Sequence, residues 1–315
     1  MQLFNNPNID FIARRKGAYI LSGTLLIIGI ISLIIHGGPN YGIDFKGGTS
    51  IALKIEKPTT VGDLRNYLSE GGLDNAEIKS FGAPGEFLIY IQQQRDASAS
   101  QVAQDVKTSI ASGLGLEAGE SEAVVQELMV DTVGPRIGSE LRKATLLAAG
   151  LALVFILLYI GWRFEFVFAA GAIAALFHDV MITIGIFSVL NIEISLKEFA
   201  AFLTIIGYSL NDTIVVYDRI RENLKVLRSE ELGSIINRSI NQCLSRTVVT
   251  SLTTFIVVLV LFLFGGEVIK GFAFAMLVGV VVGTYSSIFV ASPLVLEWQK
   301  RHGGKGELKM AKKRK

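Results

Sequence analysis

One cysteine in 315 residues, Cys243, leaves no partner for an internal disulfide and removes any multi-cysteine metal site. Histidine is nearly as scarce: His36, His178 and His302 lie far apart and show no metal-ligand spacing. Charge is scarce too. Asp, Glu, Lys and Arg make up 18% of the chain, where a soluble domain holds about a quarter, and a net charge of +2 is too small to imply nucleic acid as a partner. The pattern Gly-x-x-x-x-Gly-Lys-Ser/Thr is missing, which excludes a Walker-type ATP site. No nucleophile triad is present either. The sequence therefore predicts no catalytic residue, no cofactor site and no bound metal, and the chain does not read as an enzyme.

Hydrophobic residues, half of the total, are the abundant class, and mean hydropathy is +0.49. They fall in runs, and about 20 mostly apolar residues suffice to cross a bilayer. Six such runs are expected to be membrane spans: 17–36, 144–160, 166–190, 199–217, 246–264 and 272–297. The first is too long for the roughly 7–15 apolar residues of a signal peptide, and Gly37-Gly38-Pro39-Asn40 is no cleavage site, so it reads as a retained anchor. Ordinary globular composition fills 37–143. The layout is one span, a domain, then five spans over 144–297.

Lys and Arg set the orientation. Arg14, Arg15, Lys16, Arg163, Arg219, Arg221, Lys225, Arg228, Arg238 and Arg246 fall on one side, with the basic tail 298–315. The short loops of the other side carry Lys197 and Lys270. The positive-inside rule then puts residues 1–16 and the tail in the cytoplasm and 37–143 outside.

The outer segment reads as βαββαβ, a ferredoxin-like order. Thr49–Ile55 alternates like a strand. Thr60–Leu68 reads as a helix with Thr60 and Asp63 placed for a capping box. Glu77–Phe81 and Glu86–Gln92 read as strands, 98–112 as a helix with Val102, Val106 and Ile110 on one stripe, and Glu122–Val130 as the closing strand. For the charged stretch 218–245 two readings fit: an amphipathic helix or helix pair on the membrane surface, or a solvated continuation of the fourth span.

A charge deep in a span costs on the order of 2.5–3.5 kcal/mol on the insertion scale, so each one is a candidate site. The third span holds His178 and Asp179, with Gly171, Ala174 and Ala175 one and two turns earlier. This pair fits either function or the pinning of helix packing. The fourth span holds Asn211 and Asp212. Thr204, Tyr208 and Asn211/Asp212 recur at helical spacing and suggest one polar face. Burial of Asp212 favours the neutral acid and a nearby cation favours the carboxylate, the condition for taking up and releasing a proton. Arg246 opens the fifth span above Thr250, Thr253 and Thr254, and alone it fits a snorkelling side chain. Gly279, Gly283 and Ser287 recur every four residues and read as a helix-packing face.

Several motifs converge: Gly42–Thr49 (GIDFKGGT), Val133–Gly138 (VGPRIG), Arg163-Phe164-Glu165, Phe177-His178-Asp179, and Gly207–Asn223 (GYSLNDTIVVYDRIREN). Together they closely resemble the SecF branch of the SecD/SecF family of bacterial protein translocase subunits, over nearly the whole chain. The form Asn211-Asp212-Thr213 is similar to that branch and not to SecD. The resemblance implies membership of the RND superfamily and a heterodimer with SecD beside the SecYEG channel, with YajC and YidC as further neighbours. It also implies contact with translocating preprotein and use of the proton-motive force in late steps of export across the bacterial inner membrane. In the family, charges tied to proton passage fall on the positions of Asp212 and Arg246. The rival readings are a scaffold for SecD without a proton role and half of a small-molecule exporter. The exporter would need larger outer domains and a second six-span half.

Overall fold

The structure is a computed structural model that describes residues 7–80, 82–92, 98–117, 119–227 and 229–302. The chain divides into two compact units, one running to Asn40 and resuming at Ala149, the other spanning Tyr41–Ala148. The first opens with α1 (Arg15–Ile35). The second contains α2 (Ile43–Lys46), β1 (Gly48–Ile55), α3 (Val61–Glu70), β2 (Glu77–Ser80), β3 (Glu86–Ile91), α4 (Ala99–Gly113), α5 (Ser121–Val124) and β4 (Val125–Val133). After these come α6 (Pro135–Arg163), which carries the chain back into the first unit, α7 (Phe166–Val189), α8 (Leu196–Val226), α9 (Leu232–Phe264) and α10 (Glu267–Ser286). A π-helical turn (Ser287–Ala291) and α11 (Ser292–His302) complete the described chain. Six helices among the described residues are long and apolar enough to span a membrane, one near the N-terminus and five from residue 136 onward.

In the second unit the four strands form an antiparallel sheet in the order β2-β3-β1-β4, the ferredoxin-like arrangement. Its core joins alternate strand residues (Ile51, Leu53, Ile89, Ile91) to Leu64 and Leu68 of α3 and to Val102, Val106 and Ile110 of α4. The last strand starts at Val125, three residues later than the sequence suggests. The carbonyl of Glu120 accepts from the N–H groups of Ala123 and Val124, which winds 121–124 into a helical turn first. The predicted end of the second strand, Phe81, lies outside the described residues. Thr60 and Asp63 form the expected capping box: the Thr60 N–H donates to Asp63 Oδ2 (2.9 Å) and the Asp63 N–H to Thr60 Oγ1 (3.2 Å). Donation from the Thr60 hydroxyl, then from its N–H, holds the Asp63 carboxyl below its ordinary range.

The GIDFKGGT segment comprises α2 and its turn into β1. Gly47 and Gly48 both take positive φ, and a Cβ on Gly48 would lie 2.7 Å from the Ile91 carbonyl. Gly47 accepts a hydrogen bond from the Tyr90 hydroxyl. Gly138, in the first turn of α6, sits so close that a Cβ there would be 3.0 Å from Gly47 N. The two glycine-bearing motifs thus meet, and the approach depends on the missing side chain at Gly138.

In the first unit, α1 and α7 run parallel in constant register. Ser22 meets His178, Gly29 meets Gly185, and Ser32 meets Ser188, each pair 156 residues apart in sequence. A Cβ on Gly29 or Gly185 would lie 2.8 Å from the other's Cα. Such close approach is how helices gain packing contact where lipid removes the hydrophobic drive. Gly185→Leu should therefore force the pair apart and destabilise the bundle by about 1–3 kcal/mol, the usual cost of overpacking. Thermal unfolding of purified protein in detergent checks this, with Gly23→Leu as a silent control because Gly23 faces open space.

The charged stretch 218–245 is not a separate surface helix. It consists of the end of α8 and the start of α9, joined by a short turn. Ile220, Ile235 and Ile236 are buried between the two arms, and Asn223 Nδ2 donates to Ser239 Oγ and Gln242 Oε1, both at 2.8 Å. At the same end, Arg163 grips both oxygens of Asp218 (2.9 and 2.8 Å), and Arg221 donates to the Arg163 carbonyl. The N-terminal segment before α1 is fixed there too, with the N–H groups of Phe11 and Ile9 donating to Asn237 and Asn241.

Candidate functional site: carboxylates buried in the helical bundle

Two carboxylates lie between the helices. Asp179 on α7 is 1% exposed, and Asp212 on α8 is 4% exposed.

Asp179 is held from three sides. His178 Nδ1 lies 2.8 Å from Oδ1, while Ser209 of α8 and Ser286 of α10 donate to Oδ2 at 2.5 and 2.7 Å. On the other side of the imidazole, Nε2 lies 2.9 Å from Ser22 Oγ of α1. Ser22 Oγ in turn lies 3.1 Å from Tyr285 Oη, which donates to the Ala18 carbonyl at 2.7 Å. The chain Asp179–His178–Ser22–Tyr285–Ala18 has four links. With an ionised Asp179 and a neutral His178, the imidazole, Ser22 and Tyr285 supply one hydrogen each, three in all. One further proton would give every link a hydrogen.

Asp212 is held more loosely. Ser251 of α9 lies 3.4 Å from its Oδ2, and Thr284 of α10 donates to Ser251 at 2.7 Å. Thr247, one turn before Ser251, is buried with no partner for its hydroxyl among the described residues, and so is the hydroxyl of Tyr208, one turn before Asp212. A buried polar group without a partner costs about 1–3 kcal/mol, so these hydroxyls mark where water would bridge. Arg246 forms no ion pair among the described residues, and its side chain is exposed.

The single polar face expected on the fourth span divides in two. Thr204 and Asn211 point outward, while Asp212 turns inward, because a helix rotates by about 100° per residue. Arg246 and Thr253 on α9 also point outward, with Thr250 half-buried. Thr253 and Thr254 spend their hydroxyls on carbonyls one turn back in their own helix. His178 and Asp179 are brought together, and Asp212 sits on the same helix as Ser209, one turn on. Gly279 faces Ile205 of α8, and Gly283 faces Ser209, where a Cβ would lie 3.1 Å from the serine Cβ. This approach is what lets Ser209 and Ser286 converge on Asp179. Ser287 is buried and opens the π-helical turn, donating to the Thr284 carbonyl at 3.0 Å. The Ala291 carbonyl, the last of this turn, accepts from Tyr217 Oη at 3.0 Å.

Sequence reading missed Ser22, Ser209, Ser251, Thr284, Tyr285 and Ser286. Lone hydroxyls in apolar runs carry little signal. The small residues of α1 did carry one: Ala18, Ser22, Gly29 and Ser32, the buried seam of that helix, recur at helical spacing. Among the described residues no group of three or more His, Cys, Asp or Glu side chains could hold a metal ion.

Six apolar helices with carboxylates enclosed among them, and one ferredoxin-like unit between the first and second, define a multi-pass membrane protein with polar sites inside its bundle. Residues 117–301 match the model of the protein export membrane protein SecD/SecF C-terminal region, and residues 32–59 match the SecD/SecF GG motif. Protein translocase subunit SecF of Desulfurispirillum indicum is 47% identical over 93% of this chain and 93% of its own length. That of Magnetococcus marinus is 48% identical over 94% of both. The crystal structure of SecDF from Thermus thermophilus, described as a translocon-associated membrane protein, superposes with a TM-score of 0.82 at 40% identity. The match covers 94% of this chain but 39% of that longer one. The chain belongs to the SecD/SecF family, among its SecF translocase subunits, and is a transport protein, not an enzyme.

Proposed function

We propose that the chain is the accessory subunit that works with SecD to couple the proton-motive force to late, outer-side steps of preprotein export through SecYEG. The observation that carries the reading is Asp212. Its carboxylate is enclosed in the bundle beside orphaned hydroxyls, with one long hydrogen bond and no ion pair among the described residues. A group that is neither saturated nor locked can exchange a proton with little rearrangement. Water reaching Asp212 alternately from either side would load and unload it, with Arg246 on the neighbouring helix as the counter-charge. Reconstituting Asp212→Asn with SecD and SecYEG, and measuring preprotein movement with and without a proton gradient, tests it.

The orientation that supports this places residues 1–16 and 298–315 in the cytoplasm and 37–143 outside. In the first unit the basic residues of α1, Arg163, Arg221 and Arg238 gather at one end of the bundle, as the positive-inside rule requires.

A partner is favoured by the outward stripes on α8 and α9. These helices are antiparallel, with Asp212 level with Ser251 and Asn223 with Ser239, so Asn211 and Thr250 stand at about the same depth. Polar side chains do not face acyl chains without cost, and SecD covering this face removes that cost. With Cys243 replaced by serine, Asn211→Cys should form a disulfide with a cysteine introduced in a facing SecD helix, and Phe155→Cys on the outer side of α6 should not. The reverse pattern, read as a shifted band on a non-reducing gel, would move the interface elsewhere.

A further inference from the structure

A groove of about 580 Å³ opens in the first unit where α1 and α7 begin and α11 ends. Its mouth is basic: Arg15, Lys16 and Arg301 line it. The one carboxylate among its lining residues, Glu297, is taken by Arg15 at 3.0 Å. Lys16 and Arg301 are exposed and have no ion pair among the described residues. Inward from the mouth the wall turns apolar. From Val167 to Ala174 is seven residues of α7, about 10 Å along the axis. Trp298 stands at the rim, in edge contact with Phe166 at 5.9 Å, as aromatics do at a membrane–water boundary. The hydroxyl of Tyr19, between the basic mouth and the apolar wall, is buried and has no partner among the described residues.

We infer that this groove holds one anionic membrane phospholipid, its phosphate at Lys16 and Arg301, its glycerol oxygens at the Tyr19 hydroxyl, and an acyl chain along Val167 and Ala174. Two unmatched cations at the mouth select an anionic headgroup over a zwitterionic one. The apolar wall beneath excludes free phosphate as the occupant, since phosphate would leave that wall uncovered. The orphaned Tyr19 hydroxyl receives an acceptor at the depth where a lipid carries its ester oxygens.

The chain's own fluorescence provides the test. Of its two tryptophans, Trp162 and Trp298, only the second lines the groove, so Trp162→Phe leaves a local reporter. This protein, in phosphatidylcholine nanodiscs, is titrated with brominated phosphatidylglycerol or brominated phosphatidylcholine, which quench on contact. Each cation near a surface is worth about fivefold, so phosphatidylglycerol should quench at roughly 30-fold lower mole fraction. Adding Lys16→Ala and Arg301→Ala should bring the two lipids within about twofold of each other. If that protein is not monodisperse, Lys16→Gln and Arg301→Gln singly should each lose about fivefold. Equal quenching by the two lipids in the parent overturns the proposal, as does a preference that survives loss of both cations. Abolition of the preference by inorganic phosphate also overturns it, by making phosphate and not lipid the occupant.

Discussion

Asp212→Asn should fold, assemble with SecD, and lose the proton-driven part of translocation while leaving the ATP-driven part intact. Asparagine has the shape of the acid and keeps an oxygen for Ser251, whose contact at 3.4 Å is too long to contribute much. Nothing in the packing around Asp212 then changes, and stability should stay within about 0.5 kcal/mol of the parent, as for a substitution that breaks no buried interaction. What disappears is the proton. One elementary charge moved through 100 mV supplies about 2.3 kcal/mol, enough to bias a conformational equilibrium by about 50-fold. If each cycle passes one proton by this carboxylate, preprotein movement with a gradient should fall to the rate seen without one. Full gradient-dependent movement by an assembled Asp212→Asn complex would leave the chain as a scaffold for SecD. Asp212→Glu separates geometry from titration, since it restores an acid on a longer arm and should recover part of the response.

How far this site was legible in the sequence follows from the physics of each residue. Charges in a span advertise themselves, because the bilayer makes them costly; Asp179, Asp212 and His178 stood out for that reason. Their facing did not. Asn211 and Asp212 are adjacent and look like one polar patch, yet a single helical step sends one outward and the other into the bundle. The ferredoxin-like unit was readable because strands of alternating, β-branched residue pattern and a capping box are local signals. The turn before β4 was not, since it depends on two N–H groups sharing the Glu120 carbonyl. The α8–α9 hairpin was ambiguous because its apolar residues fit a membrane surface as well as a partner helix. Pairing of Asn223 with Ser239 and Gln242 is a tertiary event that no periodicity encodes. Likewise Gly283 read as packing alone, whereas the space it leaves brings Ser209 and Ser286 onto Asp179.

Asp179 separates a structural role from a functional one through two substitutions that differ in hydrogen count. Asp179→Ala removes the acceptor of Ser209, Ser286 and His178 together, all of them buried. At about 1–3 kcal/mol for each stranded group, partly relieved by water, the bundle should lose on the order of 3 kcal/mol and unfold at lower temperature in detergent. Asp179→Asn behaves differently. Its oxygen still accepts from the two serines, and its amide donates to His178 Nδ1, which moves the imidazole hydrogen to Nε2. That hydrogen points at Ser22, Ser22 donates to Tyr285, and Tyr285 donates to the Ala18 carbonyl. All four links then carry a hydrogen, so the asparagine protein should be nearly as stable as the parent. It is also fixed in the fully loaded state, with no proton to give up. A relay predicts a stable Asp179→Asn protein whose gradient-dependent translocation is lost; a packing role predicts one whose translocation is intact. The expected result is the first, because with Asp179 ionised and His178 neutral the four links have room for one more hydrogen, which a relay uses and a purely structural network does not.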